Sequence, residues 1–442
     1  MSYERKGVTM RLRTGMECRK VFDHLCPFDQ EGKLKPEAKR RTLLASNANL
    51  PLEIQLKAFV MASAQGAGSP QMVQISYNSA MITGNVPSKI KLPADVETEL
   101  LGRPTAVGAH RAAEMLAWFV EDFDAQCIFL TLDHYTAPKF AFKDWKESRP
   151  GSGLSKAVAE CVVEEAVEVM KPVFGAEAEV SREEFDAFVN FLQSDVYGEY
   201  RRDFLGSVES SRPAWAMIDT GNLPVVLNFA TSREITQTVR KDFDNQDVMI
   251  EAELSATGSS GDEEAYEKLT GDALQAEIGR TVLFATFSGA DGIAYEIGMK
   301  HAAKQGEKHE PDTGKLEAIQ RALMVECGRY IPFAQHGGTG AASLARGLVG
   351  KNNINTQYLV DGANFLADHV EASVEGIRAG DKKFCGTGVY NGMVIPEAER
   401  CVEKIKETGT YGLIPELLEV IGPAGHARPA GAAGEHVGEA SE

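Results

Sequence analysis

The chain has 442 residues, of which 43% are hydrophobic and 25% are charged, as is ordinary for a folded globular protein. This composition excludes a collagen-like chain, a largely disordered chain and a small disulfide framework. The formal net charge of −18 at pH 7 repels a nucleic-acid backbone, although a small phosphorylated ligand needs only a local group of hydrogen-bond donors.

The cysteines and the apolar segments indicate the compartment. The seven cysteines are scattered and form no Cys-x-x-Cys pair, which predicts reduced thiols rather than a zinc–thiolate site. The first residues lack the apolar segment of a secretory signal, and no stretch approaches the ~20 apolar residues of a membrane span. We therefore expect a cytoplasmic protein without membrane or nucleic-acid partners.

Eight short apolar runs, each ending in polar or small residues, predict strands buried on both faces of a parallel sheet. They cover 43–47, 71–76, 127–133, 215–219, 248–253, 282–287, 331–336 and 352–355. Helical spacing between them is clearest at Leu52, Leu56, Phe59 and Val60, and again from Leu316 to Leu323. Strands that alternate with helices favour an α/β fold, the (β/α)8 TIM barrel, while a doubly wound open sheet stays as the alternative.

The remaining length is predicted to lie outside the barrel proper. We expect an N-terminal extension over 1–42 and the barrel over 43–365. A helical insertion is predicted within the barrel at 140–211, where Ser181 begins a capping box. Further helices are expected over 366–421, followed by a disordered tail over 422–442 that is rich in Gly, Ala and Pro.

The polar residues at strand ends are the candidates for chemistry, because barrel enzymes place their active sites at that face. Asp133 and His134 follow the third run directly. A neutral imidazole can bind a metal while a neighbouring carboxylate moves protons. The alternative is that Asp133 caps the next helix and His134 is simply hydrogen-bonded.

The seventh and eighth runs end in motifs suited to a phosphate group. His336-Gly-Gly-Thr-Gly340 would let backbone amides approach an anion closely, and Asn353-Ile-Asn-Thr356 adds amide and hydroxyl groups. Phosphate sites of barrels are frequently built by the loops after strands seven and eight. The alternative is a glycine-rich turn that binds nothing.

An acidic segment follows the fifth run. Glu251 and Glu253 share one face of a strand, and a Gly/Ser loop containing Asp262, Glu263 and Glu264 comes next. The loop is either a mobile lid that delivers a carboxylate base or a solvated acidic loop.

In their order and spacing, these motifs resemble the class II, metal-dependent fructose-bisphosphate aldolase family, with this chain as a divergent member. The resemblance extends over roughly residues 43–365. Its elements are Ser69-Pro-Gln-Met-Val-Gln-Ile-Ser76, Leu132-Asp-His134, Met217-Ile-Asp219, Leu223-Pro224, Glu251-Ala-Glu-Leu254, Thr257-Gly258, His336-Gly-Gly-Thr-Gly340 and Asn353-Ile-Asn-Thr356.

The resemblance implies a lyase of glycolysis or gluconeogenesis that cleaves a ketose phosphate reversibly into dihydroxyacetone phosphate and an aldehyde. Fructose 1,6-bisphosphate is the expected substrate, and a divalent metal, usually zinc, the expected cofactor. His134 and His336 match metal-binding histidines, and Glu253 matches an auxiliary metal-site carboxylate. Asp133 matches the residue that moves the proton of the hydroxyl at the cleaved bond. The resemblance also implies a homo-oligomer.

The other positions carried over from the family concern substrate and lid. Asn353 matches a catalytic asparagine, and Glu263 stands for the lid acid, although Asp262 and Glu264 are equally placed. Residues assigned to substrate or phosphate binding are Asn47, Ser76, Gly292, Gly337, Thr339, Asn355 and Thr356.

The chain also departs from the family pattern. The third metal-binding histidine of a Gly-Asn-x-His-Gly segment after the sixth strand is replaced by Asp291, which favours manganese or a weaker Lewis acid if it is a ligand. His301 and His309 have polar surroundings typical of surface residues. An amide, Asn355, stands where the family has an acid, and Thr131 stands where some members have a further histidine.

Three functions fit these observations. The first is a working metal-dependent aldolase, on fructose 1,6-bisphosphate or on a different sugar phosphate. The second is a noncatalytic structural subunit with an aldolase-like barrel. The third is a metal-free Schiff-base lyase, which we disfavour because no run has an interior lysine and Lys351 precedes the last one.

Overall fold

The chain folds into a closed barrel of eight parallel strands that follow one another in sequence order. The computed structural model describes residues 12–49, 51–84, 104–242, 247–254, 268–295, 310–336 and 343–423. The strands are β1 (Leu43–Ala48), β2 (Gln71–Ser76), β3 (Ile128–Thr136), β4 (Trp215–Asp219), β5 (Met249–Glu253), β6 (Gly292–Ala294), β7 (Phe333–Gln335) and β8 (Lys351–Ile354). The predicted (β/α)8 barrel is confirmed, and the open sheet is excluded.

Helices surround the barrel and fill its connections. They are α1 (Gly15–Leu25), α2 (Leu52–Ser63), α3 (Tyr77–Thr83), α4 (Pro104–Asp122), α5 (Lys156–Phe174), α6 (Arg182–Gln193), α7 (Asp195–Ser211), α8 (Val225–Asp242), α9 (Gly271–Ser288), α10 (Thr313–Cys327), α11 (Thr356–Arg378), α12 (Thr387–Thr408) and α13 (Ile414–Ile421). Within the described ranges, no helix is both long enough and apolar enough to span a membrane.

The sixth strand was predicted in the wrong place. The apolar run 282–287 forms the last turns of α9, and β6 begins ten residues later than that run does, at Gly292. Thr281, Phe284, Ala285 and Ser288 are buried at helical spacing, while Thr286 between them is exposed. A short apolar run does not distinguish a buried strand from one face of a helix, and here the helix forms.

Two apolar cores hold the barrel. The outer core lies between strands and helices and includes Leu44 and Ile75 of the sheet with Phe59 of α2. The inner core fills the amino-terminal end of the barrel and includes Phe129 and Trp215. Both faces of each strand are therefore buried, which explains why the strand sequences are apolar without strict alternation.

Helix α1 closes the amino-terminal end of the barrel. Its first turn is fixed by a reciprocal capping box between Thr14 and Glu17. Its apolar face enters the inner core, where the ring centroids of Phe22 and Trp215 are 5.3 Å apart. A Cβ atom on Gly292 would lie 2.4 Å from the Trp215 ring, so only glycine fits against the indole at the start of β6.

The long connection after β3 is helical. It contains α5, α6 and α7, and Ser181 caps α6 in the predicted box with Glu184. Aromatic rings of this connection pack against the segment that follows β3. The ring centroids of Phe140 and Phe191, for example, are 5.6 Å apart. Near the carboxyl end of the chain, α11 runs continuously through the predicted domain boundary at 365.

Candidate active site at the carboxyl ends of the strands

An irregularity in β3 brings two consecutive side chains into the barrel mouth. The pairing of β3 with β4 shifts register between Leu132 and Tyr135, and His134 has a φ of 49°. In a regular strand Asp133 and His134 would point to opposite faces. The bulge redirects His134, and a left-handed conformation at a residue other than glycine is the kind of strain that functional sites retain.

The two histidines predicted to bind metal lie together. Nε2 of His134 is 3.0 Å from Nδ1 of His336, and the two rings meet edge to face with centroids 4.6 Å apart. His134 comes from the end of β3, and His336 follows β7 directly. The barrel thus joins residues that are 202 positions apart in sequence.

Asp219, at the end of β4, orients His134. Its Oδ2 lies 3.1 Å from Nδ1 of the imidazole and accepts a 2.6 Å hydrogen bond from the Thr136 hydroxyl. Burial alone would lower the pKa of His134, but Asp133, Asp219 and Glu253 outweigh it and raise that pKa to about 9. Burial opposes ionisation of Asp219, yet its hydrogen bonds with His134 and Glu253 hold its pKa below the usual range.

Glu251, inside β5, plays the corresponding part for His336. Its Oε1 lies 3.2 Å from Nε2 of the imidazole, and its Oε2 accepts a 2.7 Å hydrogen bond from the Lys351 ammonium. The Trp215 indole nitrogen donates to the same carboxylate. Burial favours protonation of Glu251, but Lys351 and His336 dominate and lower its pKa to about 2, so the carboxylate is ionised.

Asp133 is fully buried beside these groups. Nδ2 of Asn47 donates a 2.8 Å hydrogen bond to its Oδ2, and the Lys351 ammonium lies 3.9 Å from its Oδ1. His134 is 3.8 Å from the same carboxylate. Asn47 and Asp133, both predicted for the site, are therefore in contact, and one oxygen of Asp133 remains directed toward the interior.

The histidine pair fits a metal ion. Tetrahedral zinc holds nitrogen ligands at ~2.0–2.1 Å, which places two such nitrogens roughly 3.4 Å apart. The observed 3.0 Å between His134 and His336 is close to that spacing. The far nitrogen of each ring lies beside a carboxylate, as in metal-binding histidines generally. In the described part of the chain, no set of three or more His, Cys, Asp or Glu residues converges for a metal.

Buried polar atoms that lack a hydrogen-bond partner cluster around the same interior. Within the part of the chain that the structure describes, they include Oδ1 of Asn47, both amide atoms of Gln74, Oγ1 of Thr131, Oδ1 of Asp133 and Oδ1 of Asn353. Buried polar atoms are normally paired, so this group is suited to water, a metal ion or the hydroxyls of a polar ligand.

Asp291 does not belong to this site, and its assignment as a metal ligand is corrected. It precedes β6, and its backbone N–H donates to the carbonyl of Ile250, three residues before Glu253 on β5. At ~3.3 Å per residue this is roughly 10 Å from the strand end. The cause of the error is the misplaced sixth strand, which put Asp291 at a strand's end instead of its beginning.

The assignment of Gly292 to substrate binding is corrected for the same reason, because Gly292 is at the start of β6, packed against Trp215. Ser76 ends β2 in register with Asp133, and its hydroxyl caps α3, accepting from the Ser79 N–H at 3.2 Å and donating to the Ser79 hydroxyl.

The end of β8 carries the remaining described candidates. Nδ2 of Asn353 lies 3.3 Å from Nε2 of His336. Asn355 is the N-cap residue of α11, and its Oδ1 accepts a 2.6 Å hydrogen bond from Asn49. Thr356 is the first residue of α11 and is exposed. The amino terminus of a helix therefore opens at this edge of the site, where phosphate groups bind in many proteins.

The other predicted residues lie outside the described ranges. They are Gly337, Thr339, Asp262, Glu263, Glu264, His301 and His309.

The sequence analysis placed Glu251 on one strand face with Glu253 and noted Asp219 in a motif, but it assigned neither carboxylate nor Lys351 a role in the site. Lys351 was considered only as a strand start, whereas its side chain is fully buried in the barrel interior between Glu251 and Asp133. Lys351 is the first residue of β8, as predicted, but the prediction did not anticipate that its side chain would be buried in the barrel.

The comparisons with known proteins agree with this architecture. A family model described as fructose-bisphosphate aldolase class-II matches residues 210–410. The structure resembles a fructose-bisphosphate aldolase from Campylobacter jejuni, with a TM-score of 0.52 and 15% identity over 94% of this chain and 97% of that one. A probable tagatose 6 phosphate kinase from Sinorhizobium meliloti aligns over 83% of this chain and 87% of that one at 11% identity, with a TM-score of 0.40 that is too low to indicate a shared fold. No curated protein matches by sequence.

The fold and the site define a (β/α)8 barrel protein with a histidine–carboxylate cluster at the carboxyl ends of its strands. The family match covers β4 to β8 and therefore includes His336 and Glu251, while the solved structure shares the whole barrel. Residues 210–410 are therefore similar to the class II fructose-bisphosphate aldolase family, and the barrel fold extends over the described chain.

Proposed function

We propose that the protein is a metal-dependent aldolase that cleaves and forms a carbon–carbon bond of a ketose phosphate, with fructose 1,6-bisphosphate as the first substrate to test. The observation that carries this proposal is the histidine pair, with 3.0 Å between Nε2 of His134 and Nδ1 of His336 and a carboxylate behind each ring. The family match supports a lyase of this type.

In the proposed reaction Asp133 takes the proton from the C4 hydroxyl of the open-chain ketose. The C3–C4 bond breaks, C4 becomes the aldehyde, and the electron pair stays on C3 as part of an enediolate. Asn47 holds the Asp133 carboxylate at 2.8 Å, which fixes its position for this transfer. A lid acid, for which Glu263 is our candidate, then protonates C3 to give dihydroxyacetone phosphate.

The chemistry supplied by a bound divalent metal would be polarisation of the ketone and stabilisation of the negative charge that develops on its oxygen. His134 and His336 would hold the ion, with Glu253 as an auxiliary carboxylate. Zinc suits the imidazole nitrogens best, and manganese is the alternative. Asn353 would lie beside the reacting atoms, and Asn355 and Thr356 would contribute to binding the phosphate with Gly337 and Thr339.

With β6 beginning at Gly292, the segment after the sixth strand is not the one that contains Asp291. It includes Gly298-Met-Lys-His301, which has the Gly-x-x-His spacing of the family's third metal-binding histidine. We therefore propose His301 as the third ligand. This proposal rests on sequence position alone, because 296–309 lie outside the described residues.

The burial of a lysine inside the barrel is an observation that favours the Schiff-base alternative. Lys351 lies in the barrel interior, but its ammonium is engaged by Glu251 at 2.7 Å and approaches Asp133 at 3.9 Å. In this arrangement it holds the carboxylate that orients His336, so we favour the metal-dependent reaction. A noncatalytic barrel is the remaining alternative.

The test is release of triose phosphate from fructose 1,6-bisphosphate by the purified protein. We expect EDTA to abolish cleavage and zinc or manganese to restore it. Activity indifferent to EDTA but trapped by borohydride would contradict the metal mechanism and favour Lys351. Absence of cleavage with metal still bound would redirect the proposal to another ketose phosphate, and absence of both would favour a noncatalytic barrel.

A further inference from the structure

A cavity lined by several charged side chains lies at the opposite, amino-terminal end of the barrel. Its volume is ≈ 400 Å³, within the range of small-molecule sites, and it opens between α1, α8 and the segment before β6. Its charged lining consists of Arg19 and Lys20 from α1, Arg240 from α8, Arg329 after α10, and Asp291. None of the residues proposed for the aldolase site lines it except Asp291, which the structure removes from that site.

Three guanidinium groups converge on one carboxylate in this cavity. Arg19 and Arg329 donate to Oδ1 of Asp291 at 2.8 and 2.7 Å, and Arg240 donates to Oδ2. These contacts hold the pKa of Asp291 below its ordinary range against the effect of burial. The carboxylate fixes the orientation of three cations that would otherwise repel one another.

The single charge of Asp291 does not neutralise the three guanidinium groups. Lys20 adds a fourth cation and forms no ion pair with the described residues. Asp23 of α1 is a described acid close enough to Arg19 and Arg329 for both charges to lower its pKa, although burial raises that pKa overall. Among the described side chains that line the cavity, four cations stand against the single carboxylate of Asp291.

The guanidinium groups also keep donors for a ligand. Each arginine has five N–H donors, and with described residues Arg19 makes three hydrogen bonds while Arg240 and Arg329 make two each. Arginines that are already oriented lose little freedom on binding and match the planar geometry of phosphate and carboxylate oxygens.

The first turn of α1 also lines the cavity, through Gly15 and Met16, and the Glu17 carboxylate of the same turn caps this helix end. Glycine is required here because a Cβ on Gly15 would lie 1.6 Å from the carbonyl oxygen of Asp247. This close approach brings the helix end against the start of β5.

We propose that this cavity is a binding site for a small anion bearing phosphate or carboxylate groups, separate from the site at the strand ends. The proposal does not depend on the aldolase function, because it rests on the cation cluster and the cavity that it lines. Its position on the closed end of the barrel lets it bind an anion without competing with substrate for the barrel mouth.

The test is calorimetric titration of the metal-containing protein with inorganic phosphate and, separately, with succinate. The informative variant is Lys20→Glu, because Lys20 is exposed and forms no ion pair with any residue the structure describes, so the fold should persist. Lys143→Glu, on an exposed segment of the insertion, makes the same change in net charge away from the cavity. Arg329→Gln is a second probe of the cluster.

We expect Lys20→Glu to weaken anion binding ~10-fold or more and Arg329→Gln to weaken it as well, while Lys143→Glu and His336→Ala leave it within about twofold. Tighter binding of phosphate assigns a phosphorylated ligand, and tighter binding of succinate assigns a dicarboxylate. Equal binding by the Lys20 and Lys143 variants, or no binding of either anion up to about 20 mM, would overturn the proposal.

Discussion

At the scale of single residues, the candidate site depends on side chains that orient other side chains. His134 has Asp219 behind it and His336 has Glu251, so each ring presents its remaining nitrogen to the other ring. Lys351 in turn holds Glu251. Such supporting contacts fix the tautomer and direction of a metal-binding histidine.

We predict that Glu251→Gln lowers zinc affinity by ~10- to 100-fold, because the amide orients the His336 ring less strongly and removes a negative charge from the site. Competition with a chromophoric chelator measures the change. Glu397→Gln, the same substitution at a buried glutamate among the outer helices, is the matched control and should leave zinc affinity unchanged. Equal affinities in the two variants would contradict the role of Glu251.

The third ligand gives a second prediction at this scale. His301→Ala should reduce zinc affinity and cleavage by at least ~100-fold, because removing one ligand leaves an incomplete set. His309→Ala, a histidine of the same segment, should behave like the unaltered protein in the same assays. If His309→Ala had the larger effect, the Gly-x-x-His assignment would be wrong.

At the scale of elements, the sequence predicted seven of the eight strands close to where they lie, because their apolar runs are buried on both faces. It misplaced β6, because residues 282–287 form an equally apolar helix end and β6 itself has only three residues. That single error moved Asp291 from one end of the barrel to the other. The bulge in β3 could not be predicted from the sequence either, because the register of a strand depends on its pairing with the neighbouring strand.

The outer helices contain a buried acid whose ionisation should affect stability. Glu397 of α12 faces Gly362 of α11, and burial, with a smaller effect of Asp361, raises its pKa to about 7. Because the folded pKa is above the unfolded value, the folded state binds the extra proton. Stability is therefore greatest below pH 4.5, the ordinary pKa of a glutamate, and falls by up to roughly 3 kcal/mol as pH rises through about 7.

We predict that Glu397→Gln removes this part of the pH dependence. The variant should match the unaltered protein near pH 4.5 and exceed it in free energy of unfolding by about 1–3 kcal/mol at pH 8. Urea denaturation at several pH values measures the difference. Parallel curves for the two proteins from pH 4.5 to 8 would show that Glu397 ionises normally in the folded state.

At the scale of the whole molecule, the two ends of the barrel have opposite electrostatic character. The mouth gathers Asp133, Asp219, Glu251 and Glu253 around two histidines and one lysine, which suits a cation. The closed end gathers arginines and a lysine beneath α1, which suits an anion. The net charge of −18 predicts neither cluster, because it is a sum over the whole chain, whereas the fold places acidic and basic side chains at different ends of the barrel.

The central claim is that the histidine pair holds the metal and Asp133 moves the proton, and one paired measurement tests both parts. Bound zinc and the rate of fructose 1,6-bisphosphate cleavage should be determined for His336→Ala and Asp133→Asn. We predict that His336→Ala loses both metal and turnover, while Asp133→Asn retains metal and loses at least ~100-fold in turnover. Full zinc occupancy in His336→Ala, or undiminished cleavage by Asp133→Asn, would contradict the account.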